Sequence, residues 1–279
     1  MREAIRLAPR NPLYHSALGG LLAKDEKLSE AKTELEKALA LKPAPAVRTQ
    51  LSERLKEVDL NFGAQLGRTG HDREGMNLAA GAAVRFPEDP RILQMLGYFQ
   101  AKLQLFKKAV RSYSRALQLD PSSPDISVGL ATSQFSAGLE GDSIRTLEAG
   151  IERFPDDATH YQALGVVLLQ RSEAGRDTKA RARAMFAKAL QLNAALEESN
   201  YQLGHMELDA NEIDSAETHL LIAERSAPQD SRVHFVLARL YRKRGNTEEA
   251  EREMKAFLAV KAVEDSARAA GPLIHAKDK

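Results

Sequence analysis

"RFPEDPRILQMLGYFQAKLQLFKKAVRSYSRALQLDPSSP" occupies residues 85–124. Leu93, Leu96, Gly97 and Gln100 recur at intervals of three and four, which places them on one face of a helix. Ala109, Tyr113, Ala116 and Leu117 repeat the pattern, with Gln104 and Leu105 at the turn between. Pro121 ends the second helix, because proline lacks an amide hydrogen and clashes with the preceding turn. The stretch therefore predicts two helices joined by a tight turn. No part of the chain sustains strand alternation, so the predicted class is all-α.

The same phrases return along the chain. Pro87, Pro121 and Pro155 stand 34 residues apart, each preceded at five residues by a small residue: Ala82, Ala116 and Gly150. Leu96-Gly97, Leu130-Ala131 and Leu164-Gly165 advance by the same 34. Leu18-Gly19, Phe62-Gly63, Leu203-Gly204 and Leu237-Ala238 extend the series in both directions. Seven units follow: 12–45, 56–89, 90–123, 124–157, 158–196, 197–230 and 231–264. Residues 46–55 form an extra stretch, and unit 158–196 carries five additional residues.

Glycine inside a helix costs about 1 kcal/mol relative to alanine. Glycines at 19, 63, 97, 165 and 204 of successive first helices therefore imply close approach of a partner helix. Ala31, Ala109, Ala216 and Ala250 are small for the same reason in the second helices.

Leu96, Gly97, Ala109, Tyr113, Ala116 and Pro121 resemble the tetratricopeptide repeat, a 34-residue helix–turn–helix unit. Leu237, Ala238, Tyr241, Ala250, Met254 and Phe257 carry the resemblance near the C-terminus. The resemblance covers nearly the whole chain and rests on seven phased copies. It implies an all-α, right-handed superhelical α-solenoid of antiparallel helix pairs, with the first helices lining a concave groove that binds a peptide or protein segment. It implies no chemistry. There are departures: the aromatic expected near each unit's start is replaced by Leu93, Ser127, Tyr161, Asn200 and His234. Unit 231–264 has Ala262 in place of the terminal proline, and Gly75 and Ala79 in unit 56–89 predict a thinly packed second helix.

Composition excludes several functions. Forty basic and 39 acidic residues leave a formal charge of +1, which argues against a chain built to coat nucleic acid. With no cysteine there is no disulfide, no thiolate catalysis and no Cys-ligated metal. No apolar run approaches the roughly 20 residues that span a bilayer, so no direct membrane insertion is expected.

No enzyme signature emerges, and no cofactor is expected. The histidines are His15, His71, His160, His205, His219, His234 and His275; none forms His-x3-His or His-Glu-x-x-His. The stretch "LDANEID" (208–214) lacks the central glycine of a calcium loop, and Leu220 stands where its distal Glu would be. "GRTG" (67–70) is too short to cradle phosphate.

The resemblance places positions 2, 5, 9, 12 and 13 of each unit in the groove. On this chain the candidate partner-binding residues are Gln94, Tyr98, Val128, Phe135, Gln162, Val166, Leu169, Tyr201, His205, Phe235, Arg239 and Arg242. Tyr98, Tyr201 and Phe235 are the expected anchors, because amphipathic aromatics dominate interfaces. Arg239 and Arg242 are expected to take an acidic group or a C-terminal carboxylate. A family subtype that clamps a chaperone-tail carboxylate is not matched, since only Asn61 and Arg91 fit its pattern. Arg176, Lys179 and Arg183 share a helical face as a candidate basic patch, against the alternative of a solvated helix surface.

The expected function is a non-catalytic protein–protein interaction scaffold. The alternative is a substrate-recruiting accessory segment of a larger enzyme or of a secretion or envelope assembly. RNA binding by related two-helix repeats is disfavoured by the 34-residue period and the near-neutral charge. Self-association through exposed solenoid ends is a further option. At the C-terminus, residues 247–272 are expected to run as one helix, with 265–279 as extension, cap and tail. At the N-terminus, Ala4 and Pro9 align with Ala116 and Pro121, so residues 1–11 read as the remnant of an eighth unit, with more chain expected upstream. The compartment is not legible.

Overall fold

The structure, a computed structural model, describes residues 1–171 and 175–270. The described residues are helical or in short turns, with no strand among them. Two compact units, Met1–Thr146 and Leu147–Lys279, divide the chain.

In the first unit a short α1 (Arg2–Leu7) precedes α2 (Pro12–Lys24), α3 (Leu28–Ala40), α4 (Pro45–Arg68) and α5 (Asp72–Arg85). Next come α6 (Pro90–Lys102), α7 (Phe106–Leu119), α8 (Pro124–Ser136) and the start of α9 (Glu140–Arg153). The second unit takes up the end of α9, followed by α10 (Ala158–Gln170), α11 (Arg176–Leu192), α12 (Glu197–Asp209) and α13 (Ile213–Ser226). It closes with α14 (Ser231–Arg244) and α15 (Thr247–Ala270).

Sequence dictates where the first helices begin. Asn11, Asp89 and Ser123 cap α2, α6 and α8 by accepting from first-turn amides, and a proline follows each cap. Such caps contribute about 1 kcal/mol each, and proline at the first position sacrifices only an amide that has no partner anyway. The turn within each pair is equally regular. Glu26, Gly70, Gln104, Gly138, Asn211 and Gly245 all have positive φ, between 53° and 86° with the linker residue Lys42 included. Each of the six stands at position 15 of its unit, so in these six units the chain reverses through one left-handed residue.

The core is a series of small clusters, each formed where a helix pair meets the next first helix. Leu35, Leu51 and Leu55 join α3 to α4. Leu78, Ile92 and Phe99 join α5 to α6, and Tyr113 and Ile126 join α7 to α8. In the second unit, Leu220 and Leu237 join α13 to α14. The expected reason for the helical glycines holds at Gly97, where a Cβ would stand 2.8 Å from Tyr113 Cδ2.

Both added stretches find a place in helices, and one expectation needs correction. The extra stretch 46–55 lengthens α4 to 24 residues, with Leu51 and Leu55 buried. The second helix of unit 56–89 is not left thin, because the ring of Phe99 from α6 occupies the space beside Gly75, 2.2 Å from where a Cβ would sit. The insertion in unit 158–196 lengthens α11 to 17 residues, and residues 172–174 of that stretch lie outside the described residues. At the C-terminus α15 runs as one helix to Ala270; residues 271–279, with His275, lie outside the described residues. At the N-terminus α1 lies against α2 with none of its residues buried.

Candidate functional site

In the first unit, α4 and α6 border a cavity of about 590 Å³. Its walls are Glu57, Asn61, Ala64 and Arg68 from α4, and Arg91, Gln94, Met95 and Tyr98 from α6. Spacings of four, three and four along α4 put its contributors on one face. Phe99 and Tyr113 form the floor. Gly67 keeps the space open: a Cβ there would stand 3.2 Å from Tyr98 Cε1. Tyr98 is 39% exposed and meets Phe99 edge-on at 5.1 Å between centroids, so its ring is braced from beneath while one face stays open.

The rim is charged and ordered. Arg91 Nη2 donates to Glu57 Oε1 at 2.9 Å, and that bond holds the guanidinium's pKa above its ordinary value. Burial pushes the Tyr113 hydroxyl well above the usual phenol range, so the floor is neutral. The volume falls in the range of about 300–1,000 Å³ typical of ligand pockets. An apolar floor with a polar rim suits one or two bulky side chains of a bound segment.

Of the sequence-predicted residues, Gln94 and Tyr98 come together here. Val128 and Phe135 on α8 are half-buried and do not line this cavity. Asn61 and Arg91 do line it, although the sequence weighed them only for a clamp they do not complete. Glu57 and Arg68 were missed; the 57, 61, 64, 68 spacing on α4 was the available signal.

In the second unit Gln162, Val166 and Leu169 on α10 are half-buried, and Gln162 Oε1 accepts from Ser199 Oγ at 3.0 Å. Tyr201 is no open anchor: it is 9% exposed, with the Arg232 guanidinium 4.6 Å over its ring and His205 stacked at 6.0 Å. Arg232 is fixed by Asp230 and Glu198, at 2.7 and 2.9 Å. Phe235 is 41% exposed and leans on Phe257 at 5.4 Å. It lines a shallower cavity of 280 Å³ with Tyr201, Ser231, Arg232, Phe257 and Lys261.

Arg239 and Arg242 do not form the expected pair. Three residues apart, they share one side of α14 but meet different neighbours. Arg239 is engaged by Asp209 at 3.2 Å and by His205 at 3.1 Å. Arg242 lines a separate cavity with Thr247, Met254 and Leu258. The candidate basic patch is likewise divided. Arg176 and Lys179 are exposed, but Arg183 donates to both carboxylate oxygens of Glu212.

Among the described residues no helix is long and apolar enough to cross a membrane. Family models for the tetratricopeptide repeat match residues 101–165 and 201–270. No curated protein sequence matches the chain significantly. Among solved structures the chain is similar to PilF of Pseudomonas aeruginosa, at 16% identity and a TM-score of 0.62, over 72% of this chain and 90% of that one. It is similar to the Cut9–Hcn1 hetero-tetramer of the APC/C at 17% identity and 0.62, covering 84% of this chain and 50% of that one. YrrB, described as a TPR protein with an unusual peptide-binding site, matches at 18% identity and 0.53, over 71% and 94% of the two chains. These identities speak for the fold alone. The phased repeats, the helix pairs and the two family matches together place this chain in the tetratricopeptide repeat family.

Proposed function

We propose that this protein-interaction scaffold binds a peptide or protein segment in the α4–α6 cavity and carries out no catalysis there. The observation that supports the reading is Tyr98: a large aromatic, 39% exposed, beside a 590 Å³ cavity that Gly67 keeps open. The bound segment inserts a bulky apolar side chain onto Met95 and Phe99. Arg91, Glu57 and Gln94 meet its backbone and polar groups. Tyrosine and arginine at a cavity rim are the residue types that dominate binding energy at interfaces.

Selection of a random peptide library on the intact chain tests this. The selected peptides should share a bulky apolar position and bind Gly67→Leu, which fills the cavity, at least tenfold more weakly. Peptides that bind the wild type and Gly67→Leu equally would place the partner surface elsewhere.

A further inference from the structure

The last repeats bring three potential metal ligands together from three helices. Glu224 of α13, His234 of α14 and Glu253 of α15 each offer one ligand atom, all within 4.8 Å of one another. His234 and Glu253 are buried, and Glu224 is half-exposed. His234 Nε2 lies 3.1 Å from the carbonyl oxygen of Pro228. A carbonyl only accepts, so Nε2 carries a hydrogen, while Nδ1, 2.9 Å from Glu253 Oε2, shares a second hydrogen with that carboxylate, the one a metal ion would displace. A histidine that donates one ring nitrogen to a backbone carbonyl and presents the other to a cation is the usual outer-shell arrangement of metal sites.

The first repeat provides an internal comparison. His15 makes the same two contacts, to Pro9 at 3.0 Å and to Glu34 at 2.7 Å. There, however, Glu34 is neutralised by Lys37 at 2.7 Å, and Ile5 occupies the place that Glu224 holds in the last repeat. The corresponding position to Lys37 is Ala256. The His–Glu pair is thus a structural device of both repeats, but the last repeat adds a carboxylate, Glu224, where the first has Ile5, and lacks a lysine at the place of Lys37. Arg252 Nε approaches the far oxygen of Glu253 at 3.2 Å, leaving Oε2 toward the histidine.

We infer that Glu224, His234 and Glu253 form a binding site for a divalent transition-metal ion of the zinc type. Imidazole with carboxylates suits Zn²⁺, whereas Ca²⁺ and Mg²⁺ call for all-oxygen shells. Ligands of one zinc ion stand about 3–3.5 Å apart, given bond lengths near 2.0–2.2 Å. The Nδ1–Oε2 pair, hydrogen-bonded at 2.9 Å, has to open by a few tenths of an ångström to reach that spacing, and rotation of the half-exposed Glu224 side chain completes the set. Water takes the fourth position. The proton on Nδ1 passes to solvent water as the metal enters, and the two carboxylates offset the ion's charge while Arg252 stays on Glu253 Oε1.

Calorimetric titration of the untagged, metal-free full chain with zinc chloride tests the site, alongside thermal unfolding with and without the ion. The wild type should bind one Zn²⁺ per chain and unfold at a higher temperature with it. Glu224→Gln, which leaves the buried His234–Glu253 pair in place, should weaken binding about tenfold or more and abolish the thermal shift. His15→Gln should leave zinc affinity unchanged. Circular dichroism confirms that each variant keeps its helices; should Glu224→Gln lose them, Glu224→Asp replaces it. Absence of saturable binding to the wild type, or binding that the Glu224 variant weakens less than tenfold, overturns the inference.

Discussion

The Tyr161 hydroxyl donates to the carbonyl oxygen of Pro155, six residues upstream, at 3.1 Å. Asn200 Nδ2 does the same to Ala194 at 2.9 Å, and the rings of His15 and His234 approach Pro9 and Pro228 at 3.0 and 3.1 Å. All four residues stand at position 4 of their units. Each ties its first helix to the loop that precedes it and satisfies a backbone acceptor lacking a helical partner. At these four units the position-4 side chain fastens the preceding loop, whereas Leu93, at the same position of unit 90–123, is apolar and packs in the core.

Tyr161→Phe should consequently destabilise the second unit by about 1 kcal/mol, the net worth of one such hydrogen bond. Asn200→Ala should cost more, because Asn200 Nδ2 also donates to the Leu196 carbonyl at 2.9 Å. Urea unfolding of the two variants measures both values, and equal losses would argue against the fastening.

Gly97→Ala should destabilise the first unit by about 1–3 kcal/mol, the range for overpacking a filled core. The new methyl would meet the Tyr113 ring, the rigid part of that side chain. Tyr113→Leu in the same chain should relieve much of the strain. A double-mutant cycle with additive effects would show that the two side chains do not interact.

At position 15 the left-handed turn residue is glycine in some units but Gln104, with φ 59°, in another. A residue with a Cβ costs about 1–2 kcal/mol in that conformation, while glycine gives back about 0.5–1 kcal/mol through the unfolded chain's entropy. Gln104→Gly should therefore stabilise the first unit slightly, read as a rise in midpoint temperature. Gln104→Val, β-branched, should lower it.

Asp89 caps α6 and meets Lys56 at 3.2 Å. Burial raises its pKa, but the Lys56 ammonium and the Ile92 amide outweigh that and hold the carboxyl below its ordinary value. A carboxyl depressed on folding stabilises above its unfolded pKa of about 3.9 and loses that contribution as pH falls through the folded value. Asp89→Ala should then cost about 1 kcal/mol near neutral pH. The difference from wild type should shrink below pH 4, and a pH-independent difference would contradict the assignment.

The period of 34 residues and the small residues of the first helices were legible because helix packing imposes them in copy after copy. Gly97 meets Tyr113 and Gly165 meets Phe186, while Gly19 and Gly204 meet Leu35 and Leu220. What repeats could not reveal depends on single departures. The lengthened α4 hides behind ordinary helical residues between Pro45 and Leu55. Phe99 reaches from the next unit to fill the space beside Gly75, a contact that no spacing within one unit encodes. Tyr201 reads as an exposed aromatic in the helical pattern, but the Arg232 that covers it lies 31 positions further on. Arg239 and Arg242 look like a pair by spacing, but His205 and Asp209 engage Arg239 while Arg242 lines another cavity.

Methyl NMR of the chain labelled at methionine tests the central claim most directly. The Met95 side chain lines the α4–α6 cavity and touches the space beside Gly63. On titration with a selected peptide, the Met95 methyl resonance and the Gly67 amide should move saturably with the same dissociation constant, and Tyr98→Ala should weaken that constant at least tenfold. Saturable binding that leaves Met95 and Gly67 unmoved would contradict the assignment of this cavity as the partner site.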